Sequence, residues 1–369
     1  MRKRTAAQGV ALVLAAGTAA AMAPGAAQGA EISPDVFGLK PVVMDLNGPR
    51  GVSVMGSRTI VYGELDGSVS KTVRRGEGAG TELLATFEPQ FIAPAVAQDG
   101  HQKVWILTPG GEPGTGGSTL YRWTERSGEA TAIADIAAYQ VTDPDPDDLE
   151  GIPEESNPYG VEALGDGSAL VADAAGNDLL RVYENGDIET VARIKPRTVL
   201  VPDELEGQPD VPPPGTPLPS EGVATSVTVG SDGYYYVGEL RGFPATPDTS
   251  QVWRIAPDSV DAVCDPEAPN TGDCQLFADG FTSIVDLAPG PDGDIYVLEL
   301  VQQSWFQWEL GLSDGAGGLF HAVPGEEPVE LVAGALFTPG GIDTSRNDKA
   351  FVSTPIFEPG YIGRVRDTP

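Results

Sequence analysis

Four side chains of this sequence carry the oxygen ligands that divalent cations prefer: Asn157, Glu162, Asp286 and Asp343. Carboxylate and amide oxygens bind Ca²⁺ and Mg²⁺, and a carboxylate beside a metal can also act as a general base. Each of the four lies in or next to a short apolar run. We therefore treat them as candidate ligands for Ca²⁺ or another divalent cation, provided that the fold brings these runs together.

Two further sets of polar residues recur along the chain. One set closes β-rich runs: Glu64, Thr108, Asp173, Glu239, Glu299 and Thr354. The other opens the apolar runs: Arg50, Asn157, Thr225, Ser226, Thr282 and Thr338. The closing residues either share one face of the fold or cap turns within their own repeat. The opening residues, with the candidate metal ligands, could hold a polar ligand.

The segment from Asp143 to Glu154 carries acids at positions 1, 3, 5 and 12 of the stretch, which imitates an EF-hand loop. Asp148 stands where that loop requires Gly, two prolines stiffen the segment, and no helical pattern flanks it. We therefore reject an EF-hand and keep two alternatives, a looser Ca²⁺-binding loop or a solvated acidic loop.

The remaining chemistry-bearing side chains are few. Trp305, Phe306 and Trp308 lie in a loop-like insertion, where they either stack on a flat ligand or partner or pack beneath their own loop. The only histidines, His101 and His321, lie in different repeats, which argues against a His-based metal centre or a Ser-His-Asp triad. No nucleotide-binding fingerprint is present.

The elements that must position these residues are β-hairpins. Asp-Gly pairs stand between β-rich runs at 99–100, 166–167, 232–233 and 292–293, with degenerate copies at 56–57 and 347–348. Gly accepts the positive φ that tight hairpin turns need, so this setting predicts a hairpin. Each turn belongs to a unit of four short strands, and long periodic helices are absent. Six units predict an all-β, six-bladed β-propeller, with seven blades as the alternative.

The last unit has only three strands, and the missing one is found upstream of the first unit, at residues 41–46. An N-terminal strand that completes the last blade closes the ring and removes its exposed edges. We expect residues 31–369 to form a single domain of this kind. The surplus length lies in insertions at 143–156, 196–220, 257–273 and 302–316.

Residues 1–30 have the pattern of a secretory signal peptide. A basic start at residues 2–4 precedes an apolar run at 10–23, and small residues near Ala27 and Ala30 suit signal peptidase. The apolar run is shorter than the ~20 residues that span a bilayer. We therefore expect no membrane span, and a secreted, periplasmic or cell-envelope location.

Two whole-chain properties agree with export. The two cysteines are Cys264 and Cys274, and in an oxidising compartment a disulfide between them is expected.

The 54 Asp and Glu residues outnumber the 22 Lys and Arg residues, for a net charge of −32. A phosphate backbone would be repelled, so nucleic acid is excluded as a partner. The acidic coat either keeps the protein soluble or attracts cations.

Four stretches resemble the ScyD/ScyE family of exported, NHL/TolB-like six-bladed propellers: SNPYGV (156–161), VADAAGNDLLRV (171–182), ATSV to GFP (224–244) and GFTSIVDL to YVLE (280–299). The resemblance covers nearly the whole mature chain and implies a secreted or periplasmic propeller. Founding members belong to gene clusters for the indole-derived pigment scytonemin, and the family supplies no catalytic residues to carry over. Ala175 stands where similar chains usually have Gly.

These observations lead to one expectation and two alternatives. We expect a monomeric binding scaffold for an unidentified small ligand or protein partner, bound on the loop-rich face. The first alternative is a metal-dependent hydrolase or lyase with its site in the central channel, and the second is a structural component of an envelope assembly. Carboxylates that converge in the channel would favour the enzyme, whereas a plugged channel would count against it.

Overall fold

The computed structural model describes residues 38–56, 58–76 and 78–366, and the signal peptide with its cleavage region near Ala27 and Ala30 lies outside them. The described chain is almost entirely β-structure, with strands β1 to β27 and two five-residue helices. It begins with β1 (Leu39–Asn47). Within the described residues, no helix has the length and apolar character needed to cross a membrane.

The first three blades follow in chain order. Blade 1 contains β2 (Arg50–Met55), β3 (Thr59–Gly63), β4 (Ser68–Val73) and β5 (Gly80–Thr86). Blade 2 contains β6 (Ala95–Gln98), β7 (Lys103–Leu107), β8 (Thr119–Thr124) and β9 (Glu129–Asp135), and α1 (Ile136–Gln140) follows it. Blade 3 contains β10 (Pro158–Ala163), β11 (Ala169–Asp173), β12 (Asp178–Val182) and β13 (Ile188–Ile194).

The next segment is a separate hairpin, β14 (Arg197–Leu200) and β15 (Pro217–Ser220), with a 3₁₀ turn at Asp203–Leu205. Blade 4 contains β16 (Ala224–Val229), β17 (Tyr235–Glu239), β18 (Ser250–Ile255) and, after the short β19 (Ala262–Cys264), β20 (Cys274–Phe281). Blade 5 contains β21 (Ile284–Pro289), a 3₁₀ turn (Pro291–Gly293), β22 (Ile295–Glu299), α2 (Trp305–Glu309), β23 (Gly318–Ala322) and β24 (Val329–Leu331). Blade 6 contains β25 (Gly341–Thr344), β26 (Ala350–Thr354), β27 (Pro359–Val365) and β1.

The six blades form a ring. Neighbouring strands within each blade pair antiparallel, in the order first, second, third, fourth. The first strands contact one another in sequence, β2 to β6, β10, β16, β21 and β25, and β25 returns to β2. The predicted all-β, six-bladed architecture is confirmed, and the first strands surround a central channel.

Blade 6 takes its outer strand from the N-terminal end of the described chain. β1 runs antiparallel to β27, with Leu39 opposite Val365 and Leu46 opposite Gly360. Leu39 is fully buried and Ile362 is fully buried, so apolar burial accompanies the backbone pairing. This is the pairing on which the predicted closure of the ring depends.

The Asp-Gly turns are held by local hydrogen bonds. The Asp232 carboxylate accepts the Tyr234 backbone N–H at 3.1 Å, and Gly233 has φ +81°. Asp166 accepts the Ser168 N–H at 2.9 Å in the same way. The short polar side chain organises the turn and Gly supplies the positive φ, which is the physical reason why this dipeptide recurs.

The second strand of each blade lies in the densest part of the fold. β11, β17, β22 and β26 are buried at every position, because each blade packs face to face against two neighbours. Apolar clusters therefore lie between blades, for example Leu170, Val237 and Trp253 between blades 3 and 4. A strand buried on both faces reads as a continuous apolar run, as these do in the sequence.

The predicted disulfide is present and joins two blades. Cys264 and Cys274 are bonded with a Cα–Cα distance of 5.0 Å. Cys264 ends β19, which pairs parallel with β13 and adds a fifth strand to blade 3, whereas Cys274 begins the outer strand of blade 4. The bridge therefore fastens the outer edges of adjacent blades, an arrangement that the sequence did not predict.

Candidate functional site

The central channel brings together three of the four candidate metal ligands. Glu162 on β10, Asp286 on β21 and Asp343 on β25 line one cavity of about 40 Å³. They come from blades 3, 5 and 6, and each lies on a first strand. A cavity of this size holds an ion or a few water molecules. It has no room for a sugar-sized molecule, since small-molecule sites usually occupy about 300–1,000 Å³.

Two of these carboxylates bind the backbone of the fold. Asp286 accepts the N–H of Ile342 in blade 6 at 2.7 Å and that of Leu287 at 2.9 Å. Asp343 repeats the arrangement one blade further on, where it accepts the N–H of Val54 in blade 1 at 2.5 Å. Each carboxylate therefore latches its own inner strand to the inner strand of the next blade.

Burial changes the acidity of both latches. Desolvation raises the pKa of Asp286 to about 7, although the backbone N–H donors and the charge of Arg50 act in the opposite direction. Desolvation likewise raises the pKa of Asp343 to about 7, against its two backbone hydrogen bonds and one from Ser53. The loss of water outweighs the hydrogen bonds, so both side chains titrate near neutral pH.

Glu162 differs because no hydrogen bond fixes its carboxylate within the described residues. The pKa of Glu162 is raised well above its usual value, first by desolvation and then by repulsion from Asp343 and Asp286. It is therefore the side chain of the channel whose charge is least compensated. A proton, or a cation entering the cavity, would relieve this repulsion.

Arg50 crosses the channel wall at the loop-rich end. Its guanidinium donates to the carbonyl oxygen of Ala93 at 2.8 Å and to that of Tyr159, and it lies 3.7 Å from the centre of the Tyr159 ring. Arg50 is buried, so this charge serves to join blades 1, 2 and 3. Its hydrogen bonds to main-chain oxygens leave it poorly placed to grip an anionic ligand.

Asn157 does not join the other three candidates. It precedes β10, is buried, and does not line the cavity. Its side-chain oxygen accepts the Gly110 N–H at 3.2 Å, and its own N–H donates to Asp173 at 2.7 Å. Among residues 38–56, 58–76 and 78–366, no three His, Cys, Asp or Glu side chains converge closely enough to hold a metal ion.

Three of the acids that close the second strands cap the chain segment that leads into their own blade. Glu64, Asp173 and Glu299 accept the N–H of Asn47, Asn157 and Thr282 respectively, at 2.7–2.8 Å. In each case the donor lies just before the first strand of the blade. Glu239 instead accepts from Trp253 Nε1 at 2.6 Å and pairs with Arg241. Of the two alternatives, the structure therefore shows the local cap.

The aromatic insertion of blade 5 is mostly buried. Trp305 donates from Nε1 to the Arg241 carbonyl oxygen at 2.9 Å, and Phe306 packs edge-on against Phe243 at 5.5 Å. Trp308 is only partly buried and stacks on Phe357. Two of the three residues therefore pack beneath the loop, and the third lies at its surface.

The acidic loop holds itself together without forming a metal cluster. Asp145 accepts the Asp147 N–H at 2.9 Å and the Asn177 side chain at 2.8 Å. Desolvation raises the pKa of neighbouring Glu221 to about 7, and the loop acids around Glu150 add repulsion. The alternatives of a solvated loop and a loose Ca²⁺ loop both stay open.

Comparisons with known proteins support the propeller fold. No protein-family model matches the sequence, and no curated protein matches it significantly. Solved structures match along most of the chain. The PQQ-bound aldose sugar dehydrogenase of Streptomyces coelicolor has 11% identity and a TM-score of 0.52, with 88% of this chain and 96% of that chain covered.

Two further solved structures are similar to a comparable degree. The PQQ domain of pyranose dehydrogenase from Coprinopsis cinerea has 11% identity and a TM-score of 0.53 over 89% of this chain and 95% of that chain. A Bacteroides thetaiotaomicron protein of unknown function has 11% identity and a TM-score of 0.52 over 87% and 70%. At such identities the likeness extends to the propeller fold alone.

Proposed function

We propose that this chain is an exported binding scaffold of the ScyD/ScyE type, which recognises its ligand or partner with the loop-rich face and performs no reaction in the channel. The main support comes from the channel. Three carboxylates converge there, which alone would favour an enzyme, but two of them are engaged in hydrogen bonds that hold neighbouring blades together, and the cavity of about 40 Å³ is too small for an organic substrate. The disulfide and the leader-like residues 1–30 support export.

The cofactor of the similar dehydrogenases does not fit this channel. Pyrroloquinoline quinone carries several carboxylates and fills a pocket far larger than 40 Å³. The channel would present it with Glu162, Asp286 and Asp343, while Arg50 is occupied by main-chain oxygens. Where these carboxyl groups are ionised they would repel such a ligand, and where they are protonated they supply no positive charge to hold it. We therefore do not propose pyrroloquinoline quinone as a cofactor of this protein.

A divalent cation in the channel is the second candidate, because Glu162, Asp286 and Asp343 line one cavity and a cation there would relieve their mutual repulsion. Glu162, Asp286 and Asp343 would be its ligands after Glu162 turns towards the two aspartates, and Asn157 would take no part. The test is a thermal melt at pH 8 with Ca²⁺, Mg²⁺ or EDTA. A cation at 100 times its Kd stabilises by about 2.7 kcal/mol, and E162Q should abolish that shift.

Turnover measurements test the scaffold against the enzyme. The exported chain is assayed with panels of lactones, esters and aldoses, beside a variant in which Glu162 is replaced by Gln. We expect no turnover above the background of a buffer control in either protein. Turnover by the parent that disappears in E162Q would overturn the proposal, because it would place a reaction in the channel.

A further inference from the structure

An exposed aromatic strip lies on the loop-rich face. Phe91, from the 87–94 loop, contacts Phe357 with ring centroids 5.4 Å apart. Phe357 in turn stacks on Trp308 at 5.3 Å, with the planes inclined by 21°. Phe337 and the indole nitrogen of Trp308 both border Gly315, where an added methyl would overlap both rings. Four aromatic residues from four loops of blades 1, 5 and 6 therefore form one continuous surface.

The two ends of this strip are exposed to solvent, whereas Phe357 and Trp308 between them are partly buried. Phe91 is 48% exposed and Phe337 is 39% exposed, and the neighbouring Leu310 and Leu312 are 39% and 44% exposed. Single exposed apolar residues are common on protein surfaces, but a contiguous group usually marks an interaction site. The feature to explain is therefore the continuity of the strip across four separate loops.

The loops that carry the strip are anchored. Trp305, in α2 beside Trp308, donates its backbone N–H to the Ser283 side chain at 3.0 Å. The Ile356 N–H donates to the Thr338 carbonyl oxygen at 3.1 Å, which joins the loops of Phe357 and Phe337. A platform fixed in this way loses little conformational entropy when a partner binds.

The four loops also carry charge of one sign. Segments 87–94, 300–317, 332–340 and 355–358 contain no Lys, Arg or His, and their charged residues are the acids Glu88, Glu309, Asp314 and Glu358. Glu309 on α2 is exposed and forms no ion pair or hydrogen bond within the described residues. Glu309 follows Trp308 and Glu358 follows Phe357 in the chain, so acidic residues flank the strip, and none of the four acids forms a salt bridge within the described residues.

We propose that this strip is the docking surface of the scaffold, and that its occupant is a basic peptide segment with aromatic or aliphatic side chains. The inference rests on the proposed scaffold function and names the chemistry of its partner. Apolar side chains of the peptide stack on Phe91, Phe357 and Trp308, while Lys or Arg side chains meet the bordering carboxylates. A second copy of this chain is disfavoured, because two acidic faces would repel.

Fluorescence anisotropy with labelled synthetic peptides tests the proposal on the exported chain. One peptide carries four Lys and two Phe, a second has each Lys replaced by Glu, and a third has each Phe replaced by Ala. The variants are F91S, F357S and E309Q. The matched control is L83S, because Leu83 is 62% exposed on the outer strand of blade 1 and lies outside the four loops that carry the strip.

The proposal predicts that the parent binds the Lys-Phe peptide and binds the other two peptides at least tenfold more weakly. F91S and F357S should each lower the affinity for the Lys-Phe peptide at least tenfold. E309Q should weaken the Lys-Phe peptide without loss of folding, and L83S should leave its affinity unchanged. Equal affinities in F91S and L83S would overturn the proposal, because net charge alone would then explain binding. Self-association of the parent that F91S abolishes would also overturn it. The turnover assay tests the scaffold function and the anisotropy assay tests the class of partner, so either proposal can be refuted without the other.

Discussion

Replacement of Glu162 by Gln is expected to stabilise the protein increasingly as the pH rises. Gln keeps the size of the side chain and breaks no hydrogen bond, because the Glu162 carboxylate accepts none within the described residues. It removes the negative charge that faces Asp343 and Asp286 across the cavity. The variant therefore isolates the effect of the charge from that of packing.

The sign follows from the pKa. The ordinary pKa of Glu is 4.5, and that of Glu162 in the folded protein is raised well above it. Between these two values the folded state keeps a proton that the unfolded state has lost. The free energy of unfolding of the parent therefore falls by about 1.4 kcal/mol for each pH unit. The amide of E162Q does not ionise, so the free energy of unfolding of the variant does not fall for this reason.

Above pH 4.5 the gain of E162Q over the parent therefore grows by up to about 1.4 kcal/mol for each pH unit until the folded carboxyl ionises, and water in the cavity screens part of it. The assay is urea unfolding followed by tryptophan fluorescence at pH 4.5, 5.5, 6.5 and 8. E125Q is the control, since Glu125 is exposed in a turn. A difference between E162Q and the parent that is constant across this range would refute the reasoning.

Three further results are expected. Replacing Cys264 and Cys274 by Ser should lower the free energy of unfolding by about 2–3 kcal/mol. Protease cleavage between residues 257 and 273 should then become faster, because the bridge no longer restrains this segment. L39A should cost about 2–5 kcal/mol, because Leu39 is fully buried, whereas M44A on the same strand should cost little, because Met44 is 59% exposed; equal denaturation midpoints would contradict the role of β1. G340A should destabilise by about 1–3 kcal/mol, because the added methyl would overlap a packed isoleucine, and an unchanged melting temperature would contradict that contact.

The candidate site was only partly accessible from the sequence. The repeat pattern places Glu162, Asp286 and Asp343 in inner strands, and the ring brings all three to one cavity. The same pattern places Asn157 at the start of an inner strand, but it turns towards Gly110 and Asp173, because it precedes the strand instead of lying within it. A repeat pattern fixes the element that carries a residue, and the direction of the side chain depends on neighbouring loops.

The aromatic strip was missed, although its parts were visible. Trp308 was noted in the sequence, whereas Phe91, Phe337 and Phe357 lie in three other loops that are distant along the chain. The available signal was their shared position in connections between strands, together with the absence of Lys and Arg from those segments. That signal becomes informative only when the loops are known to end on the same face.

The sequence by itself determined the repeating unit. Asp-Gly turns, mostly apolar second strands and the three-stranded last unit act through contacts between residues close in the chain, so their pattern is sufficient to predict six blades. Only the tertiary structure decided that Asp286 and Asp343 latch adjacent blades, that Cys264 joins blade 3 to blade 4, and that the channel is narrow. These features depend on the offset and tilt between blades, which are set by packing over the whole ring and leave no periodic trace in the sequence.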